Sequence, residues 1–560
     1  MCALGGALTP LHLRRPAPRP VAEAERQAIR AARGRGRRTL GDQRAALGGA
    51  RLDPIEPSSA ATFWIRKARL VDLGNVSSFG GIDADADLLL NECFQDHGAY
   101  LDARKHERFL IIGRKGSGKT AIFRRLISER SHDLFSDGHT FDDYPWHHHD
   151  LQAQTGVPEE RRYIQSWKYL MLLSLAKIAL NQDQSLAIRE ESLDSLEVIE
   201  SFVVDSYGSR NPDLTQLFSP NKEIKLKGGL RTPFAVLDIE RIRVKDLPIH
   251  IQEVNRQLAK HVMQSLNPEH DYYICFDQLD LGFNPGDQAY HQRLIGLILA
   301  SRELNRIATE NGKRASVIVF LRDDIYQMLH FEDKNKLTEN HLSKIEWKEY
   351  GRGLTLKSLM ERRFGQVLNG EGTVSWDSVF NEGREMPSRK SKYTYICDRT
   401  FLRPRDMIKF CNQVLIEHRA FGADPDEKFD NEHVLEARSS YSEYLRNELD
   451  DEIAKQVPHY KDYLEVVKSV GSMQFTSTSF DLAWKKLDMD KIGKSKEALR
   501  ELFEFSVVGY LKPGGQGGGS QYVWRYSSGN TRFNPEADTF RIHAGLKEVL
   551  DLVAGAGRGN

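Results

Sequence analysis

The sequence predicts an α/β fold: a parallel sheet with a helical insertion and a helical lid, then a small C-terminal domain of helices and a hairpin. Three observations predict it. The glycine-rich stretch Gly113-Arg114-Lys115-Gly116-Ser117-Gly118-Lys119-Thr120 stands between the apolar run Phe109–Ile112 and the helical Ala121–Leu126. Two further apolar runs, Tyr272–Phe276 and Ser316–Leu321, each end in charge, as buried parallel strands do when their tips meet a ligand. The last hundred residues change to short helical periods and then to two strand-like runs around a glycine-rich tip.

The first element is strand, glycine loop, helix. Residues 113–120 complete the pattern G-x-x-x-x-G-K-T, the phosphate-binding loop, or P-loop. Gly116 and Gly118 lack a Cβ, so successive N–H groups can curl around one anion. The helix that starts near Lys119 adds the positive end of its dipole. The expected ligand is ATP with Mg²⁺. Gly113, Arg114, Lys115, Gly116, Ser117 and Gly118 line the loop, Lys119 reaches the β- and γ-phosphates, and Thr120 meets the metal.

Such a loop needs a metal-facing carboxylate at the end of a neighbouring parallel strand. Tyr272–Phe276 followed by Asp277 supplies it, and Asp277 is the expected second metal residue, directly or through water. The next position is Gln278, where many related ATPases carry a glutamate base. Asp280 is the alternative acid if the strand end turns it inward. Nucleotide binding is therefore the stronger expectation, and hydrolysis the slower one.

The chain has 560 residues, too many for one core, and 79 acidic against 79 basic side chains. Zero net charge argues against a protein built mainly to coat nucleic acid. Five cysteines without C-x-x-C spacing argue against disulfides and zinc and fit a cytoplasmic chain. Tyr169–Leu180 is the longest mostly apolar stretch and is too short to span a membrane. Residues 1–60 are expected to be a disordered leader or an over-long gene model: the first 51 hold eleven arginines and no lysine. Residues 61–335 are then the ATPase core, 336–450 the lid and 451–560 the C-terminal domain.

Asp83–Asp87 should open a helix that runs through Phe94. An insertion at about 131–245 should be mostly helical, with Tyr163–Leu180 buried, Glu190–Tyr207 acidic and a small hairpin within Lys222–Val244. Ile251, Val254, Leu258, Val262 and Leu266 mark an amphipathic helix leading into the Asp277 strand. Trp146-His147-His148-His149-Asp150 reads as a solvated or core-edge cluster, because adjacent histidines cannot all face one ion. Asn284–Asp287 is a turn and cap before the next helix. Arg322, at the tip of the strand beside the Asp277 strand, is a candidate γ-phosphate sensor; a salt bridge to Asp323 or Asp324 is the alternative. Arg403-Pro404-Arg405-Asp406 opens a lid helix with proline in its first turn. Arg405 is preferred over Arg403 as a phosphate contact, against a helix-start salt bridge with Asp398 or Asp406.

In the last domain, helices around Tyr463–Val470, Phe480–Trp484 and Lys496–Phe505 precede strands at Val507–Leu511 and Gln521–Tyr526. Three helices and a hairpin are the order of a winged helix. Its third helix mixes Lys494, Lys496 and Arg500 with Glu497, Glu501 and Glu504, less basic than a groove-reading helix. An internal clamp or partner-binding role is preferred over DNA reading.

Together these segments resemble the additional-strand P-loop ATPases of the AAA+ and STAND classes, and are similar in layout to origin-recognition ATPases. Residues 113–120 and Phe276-Asp277-Gln278-Leu279-Asp280-Leu281-Gly282-Phe283 look more closely like a largely uncharacterised family of bacterial P-loop ATPases linked to phage defence. The resemblance covers roughly 79–550 and implies an ATP-dependent switch, with Lys119, Asp277, Asp280, Arg322 and Arg405 as its working residues. Its partner would be a second copy or a separate effector protein. The alternatives are a DNA-binding ATPase acting through the winged helix, and a scaffold with structural nucleotide.

Overall fold

The computed structural model describes residues 72–141, 161–213, 247–348, 354–514, 519–527 and 531–556, with a few isolated positions between them. The Arg-rich leader, and all of the histidine cluster except His149, lie outside the described residues, as does most of Lys222–Val244. Within that last segment Glu223–Ile224 pairs antiparallel with Ile242–Arg243, and Leu230–Arg231 with Val236–Leu237.

Five strands build the first sheet: β1 (Leu110–Gly113), β2 (Leu134–Thr140), β3 (Asp271–Asp277), β4 (Arg314–Arg322) and β5 (Leu342–Lys344). Their order is β2-β3-β4-β1-β5, and every pairing is parallel. A parallel sheet needs cover on both faces, which is why β3 and β4 are continuous apolar runs. Tyr272 to Phe276 are fully buried, each worth roughly 1.5–3 kcal/mol relative to exposure. The helices around this sheet are α1 (Lys119–Ser128), α2 (Ile164–Asn181), α3 (Glu190–Tyr207), α4 (Leu247–Ser265) and α5 (Gln288–Glu310). Helix α2 is apolar on nearly every side because it lies in the core, packed by α4 and α5. The expected spacing of α4 holds: Ile251, Val254, Leu258, Val262 and Leu266 are all buried. Asp287 caps α5 by accepting from the Tyr290 N–H.

Three placements differ from the sequence expectation. β4 lies between β1 and β3, so the Asp277 strand is next but one to the glycine-loop strand rather than its neighbour. β2, inside the segment assigned to a helical insertion, is an edge strand of the sheet, and β5, inside the segment assigned to the lid, is the other edge. β2 is half-polar and β5 is only three residues long, so neither carries a strong period. The third is Asp87, which does not cap the following short helix by the usual N-cap bond. It accepts from the N–H groups of Gly81 and Leu89 and pairs with the buried Arg363.

Chain 354–556 forms a second core. Its elements are α6 (Leu356–Asn369), α7 (Pro404–Ala420), α8 (Asn431–Ile453), α9 (Tyr460–Val470), β6 (Ser472–Thr476), α10 (Ser477–Lys486), α11 (Ser495–Glu504), β7 (Val508–Lys512), β8 (Gln521–Val523), β9 (Thr539–Ile542) and β10 (Val553–Ala556). Lid and C-terminal segments share one hydrophobic cluster, which runs from Leu356 to Leu552 and also takes in Leu73, Val76 and Phe79. The three helices and the β7–β8 hairpin lie where the sequence puts them. β6, β9 and β10 are additional, giving a sheet ordered β8-β7-β9-β6-β10. Four of the five cysteines are described, and all four are buried free thiols. Among the described residues no helix is long and apolar enough to cross a membrane.

His543 lies in the second core, close to Arg114 of the glycine loop. It is buried, with its ring 4.4 Å from that of Phe401. Burial, and then the neighbouring Arg114 guanidinium, push its pKa down to about 3. The folded chain therefore holds it neutral, while the unfolded chain protonates it below about pH 6.5. Its contribution is complete above that value and is lost as pH falls toward 3, roughly 2 kcal/mol of it by pH 5. The fall in urea midpoint between pH 7 and pH 5 should be smaller in His543→Gln than in the native chain. An equal fall would mean that His543 is not held neutral.

Candidate functional site

The glycine loop joins the C-terminal end of β1 to α1. Gly116 and Gly118 have φ of 77° and 107°, values that side chains with a Cβ rarely adopt. Gly116 has a second reason to be glycine: a Cβ there would stand 3.2 Å from the Cβ of Arg405 on the lid. The Trp347 indole N–H donates to the Ser117 carbonyl at 2.9 Å and fixes the far side of the loop.

Lys119 Nζ donates to the carbonyls of Gly113 and Arg114, each at 3.0 Å. Two of its three protons are used within the loop, leaving one for an anion. Burial lowers its pKa, and the carboxylates of Asp280 and Asp277 oppose the shift. Asp277 ends β3 and is only 2% exposed. Burial pushes its carboxyl up to about 6, offset in part by the Thr120 hydroxyl and the Lys119 ammonium. Its Oδ2 is buried without a hydrogen-bond partner. A buried carboxylate oxygen facing a threonine hydroxyl suits a hard cation, so the residues present fit Mg²⁺. Among the described residues no cluster of three or more His, Cys, Asp or Glu could hold a metal by itself. A metal here would need oxygen atoms from its ligand as well. His149, the described member of the histidine cluster, is buried against Ser166 at 2.8 Å.

Gln278 follows in a left-handed conformation, φ 61°. Its amide N–H donates to Asp85 at 3.1 Å, while its carbonyl oxygen is buried without a partner. Asp280 accepts from Arg322 NH1 at 3.3 Å. Arg322, 8% exposed, closes two bonds to Asp324, at 3.0 and 2.6 Å. The alternative reading of Arg322 is the one seen: its ion pair is with Asp324, buried rather than superficial, and the same guanidinium also reaches Asp280. The register sets Arg322 beside Gly113, so the sensor candidate stands at the base of the loop.

The lid supplies two arginines with different tasks. Arg405 donates to the Ile82 carbonyl and to Glu448, both at 3.0 Å. Together with Ile82, Gly116, Gly118, Lys119 and Thr120 it lines a cleft of about 100 Å³. Arg403 is 2% exposed. It makes a two-bond pair with Asp406, 2.9 Å each, and donates to the Lys115 carbonyl of the loop at 2.9 Å. Glu452 of α8 lies 3.6 Å from Arg403 and 3.9 Å from Arg322. Burial alone would lower the Arg403 pKa, but Asp406 and Glu452 more than offset it. Sequence reasoning missed Glu452, Gln456 and Trp347. Each is one polar or aromatic residue in an otherwise ordinary helix or loop, and only the fold brings it to the site.

Residues 354–450 match the family model described as the FunZ-associated C-terminal helical domain. The match covers α6, α7 and most of α8, the lid elements that carry Arg363, Arg403, Arg405 and Glu448. No curated protein matches the chain.

Removing one partner of a buried pair strands the other charge. Arg403→Ala should cost about 3–5 kcal/mol in unfolding free energy. The double change Arg403→Met with Asp406→Leu should recover most of it. Equal losses in the single and double variants would show that packing, not the stranded Asp406 charge, sets the cost.

Proposed function

We propose that this chain is an ATP-binding, slowly hydrolysing nucleotide switch with a P-loop core and a winged-helix C-terminal domain. One observation carries the reading: a lysine with a spare donor, a threonine hydroxyl and an orphaned buried carboxylate oxygen converge at the mouth of a glycine loop that opens a helix. The loop N–H groups and the α1 dipole would hold the phosphates. Thr120 and Asp277 would hold Mg²⁺, whose chemistry there is to neutralise and polarise the terminal phosphates. The placement of β4 between the loop strand and the Asp277 strand agrees with the additional-strand class.

Slow turnover follows from the acids. Gln278 has no useful basicity, and Asp280, the remaining candidate base, is tied to Arg322. Switching follows from the lid. The cleft of about 100 Å³ is well below the volume of a nucleotide-sized site. Seating ATP therefore requires the Arg405–Ile82 bond to open and the lid to move, so ligand affinity and lid position are coupled.

The C-terminal domain favours the clamp over DNA reading. Arg500, Glu501 and Glu504 of its third helix line a cavity shared with α/β-core residues Asp323 and Asp324. Arg525, just after the hairpin, bonds Gln327 of the core at 2.7 Å. A defence setting for the switch rests on the resemblance of residues 113–120 and 276–283.

Lys119→Ala should abolish ATP binding in a filter or calorimetric assay. Asp280→Asn should retain binding and lower phosphate release. Equal loss of binding in both variants would contradict this division of roles.

A further inference from the structure

The largest cavity among the described pockets is not the cleft at Lys119. It is a half-open chamber of about 550 Å³ lined by Arg114 of the glycine loop, the segment after β4, the end of α8, helix α11 and Arg525. It shares no lining residue with the cleft. Its volume lies within the range of small-molecule sites, about 300–1,000 Å³. Met328, Val457 and Phe505 give it apolar wall for the body of a ligand.

The charges of the wall are unevenly matched. Five carboxylates line it, Asp323, Asp324, Glu452, Glu501 and Glu504, and four of them are engaged. Asp324 holds Arg322 and accepts from Gln456 at 2.9 Å, Glu504 pairs with Arg525 at 3.0 Å, Glu452 lies between Arg322 and Arg403, and Glu501 receives the Tyr463 hydroxyl. Arg114 and Arg500 make no ion pair within 4.0 Å among the described residues. Arg114 stacks on Phe401 at 4.9 Å, and its NH1 is buried without a hydrogen-bond partner. Burial holds its guanidinium below the ordinary arginine value, and Glu452 offsets only part of that. A desolvated guanidinium with an unused donor is costly unless an anion completes it.

We propose that this chamber is a second ligand site, for a small molecule of nucleotide size whose phosphate or carboxylate group bridges Arg114 and Arg500. The site goes beyond the nucleotide-switch reading and does not depend on it. Its position gives it a purpose: one wall is the loop that carries Lys119, and the opposite wall is the third helix of the C-terminal domain. An anion there ties the two together, and its loss frees them.

The test uses the full chain carrying Lys119→Ala, so that the cleft is silent, titrated calorimetrically with inorganic pyrophosphate and, separately, with citrate. One of the two should bind saturably at one per chain, and which one binds distinguishes phosphate from carboxylate. Arg500→Glu, an exposed change, should weaken that binding at least about tenfold, the loss of one charge-assisted contact. Lys494→Glu, at the N-cap of the same helix but outside the chamber wall, should leave it unchanged. Absence of binding by both probes, or equal effects of the Arg500 and Lys494 changes, would overturn the proposal. Retained ATP binding in Lys119→Ala would instead count against the reading of the cleft.

Discussion

The Arg403 guanidinium is the contact on which the rest of the site depends. It is buried, saturates both oxygens of Asp406, and still donates to the Lys115 carbonyl of the glycine loop. A loop rich in glycine has high conformational entropy to lose. Here the lid and the Trp347 indole supply the fixed partners that hold it curled. The same lid helix places Arg405 over Gly116, so the shape of the loop and the position of the lid are set together.

From that contact a chain of buried charge runs across the molecule. Arg403 meets Glu452, Glu452 meets Arg322, and Arg322 holds Asp324 and Asp280. Gln456, just past the end of α8, joins at Asp324. A network of this kind is a poor source of stability but a strong constraint on geometry, since breaking one member strands the others. Asp280 is thereby linked to the end of α8. That helix also shares the hydrophobic core of the C-terminal domain.

The glycine loop, β3, β4, α4 and the C-terminal helices were legible in the sequence because their patterns are local. The loop has fixed spacing, the strands are unbroken apolar runs, and α4 repeats at three and four. The two edge strands of the first sheet and the three extra strands of the second were not, because short half-exposed segments carry little period. The roles of the two lid arginines were half legible. Pro404 correctly marked the helix start, yet Arg403 and Arg405 flank it symmetrically in sequence. Only the fold decides that one is buried against Asp406 and the other lines the cleft. For Arg322 the ion-pair alternative is the one seen, with Asp324 as the partner.

The central claim is that the orphaned Asp277 oxygen exists to meet a nucleotide-bound metal. Titration of ATP into the full chain, with and without Mg²⁺, tests it most directly, beside the same pair of titrations on Asp277→Asn. The account predicts one ATP per chain, with an affinity that rises with Mg²⁺ in the native chain and is insensitive to Mg²⁺ in the variant. Equal Mg²⁺ dependence in the two chains, or no ATP binding by the native chain, would contradict it.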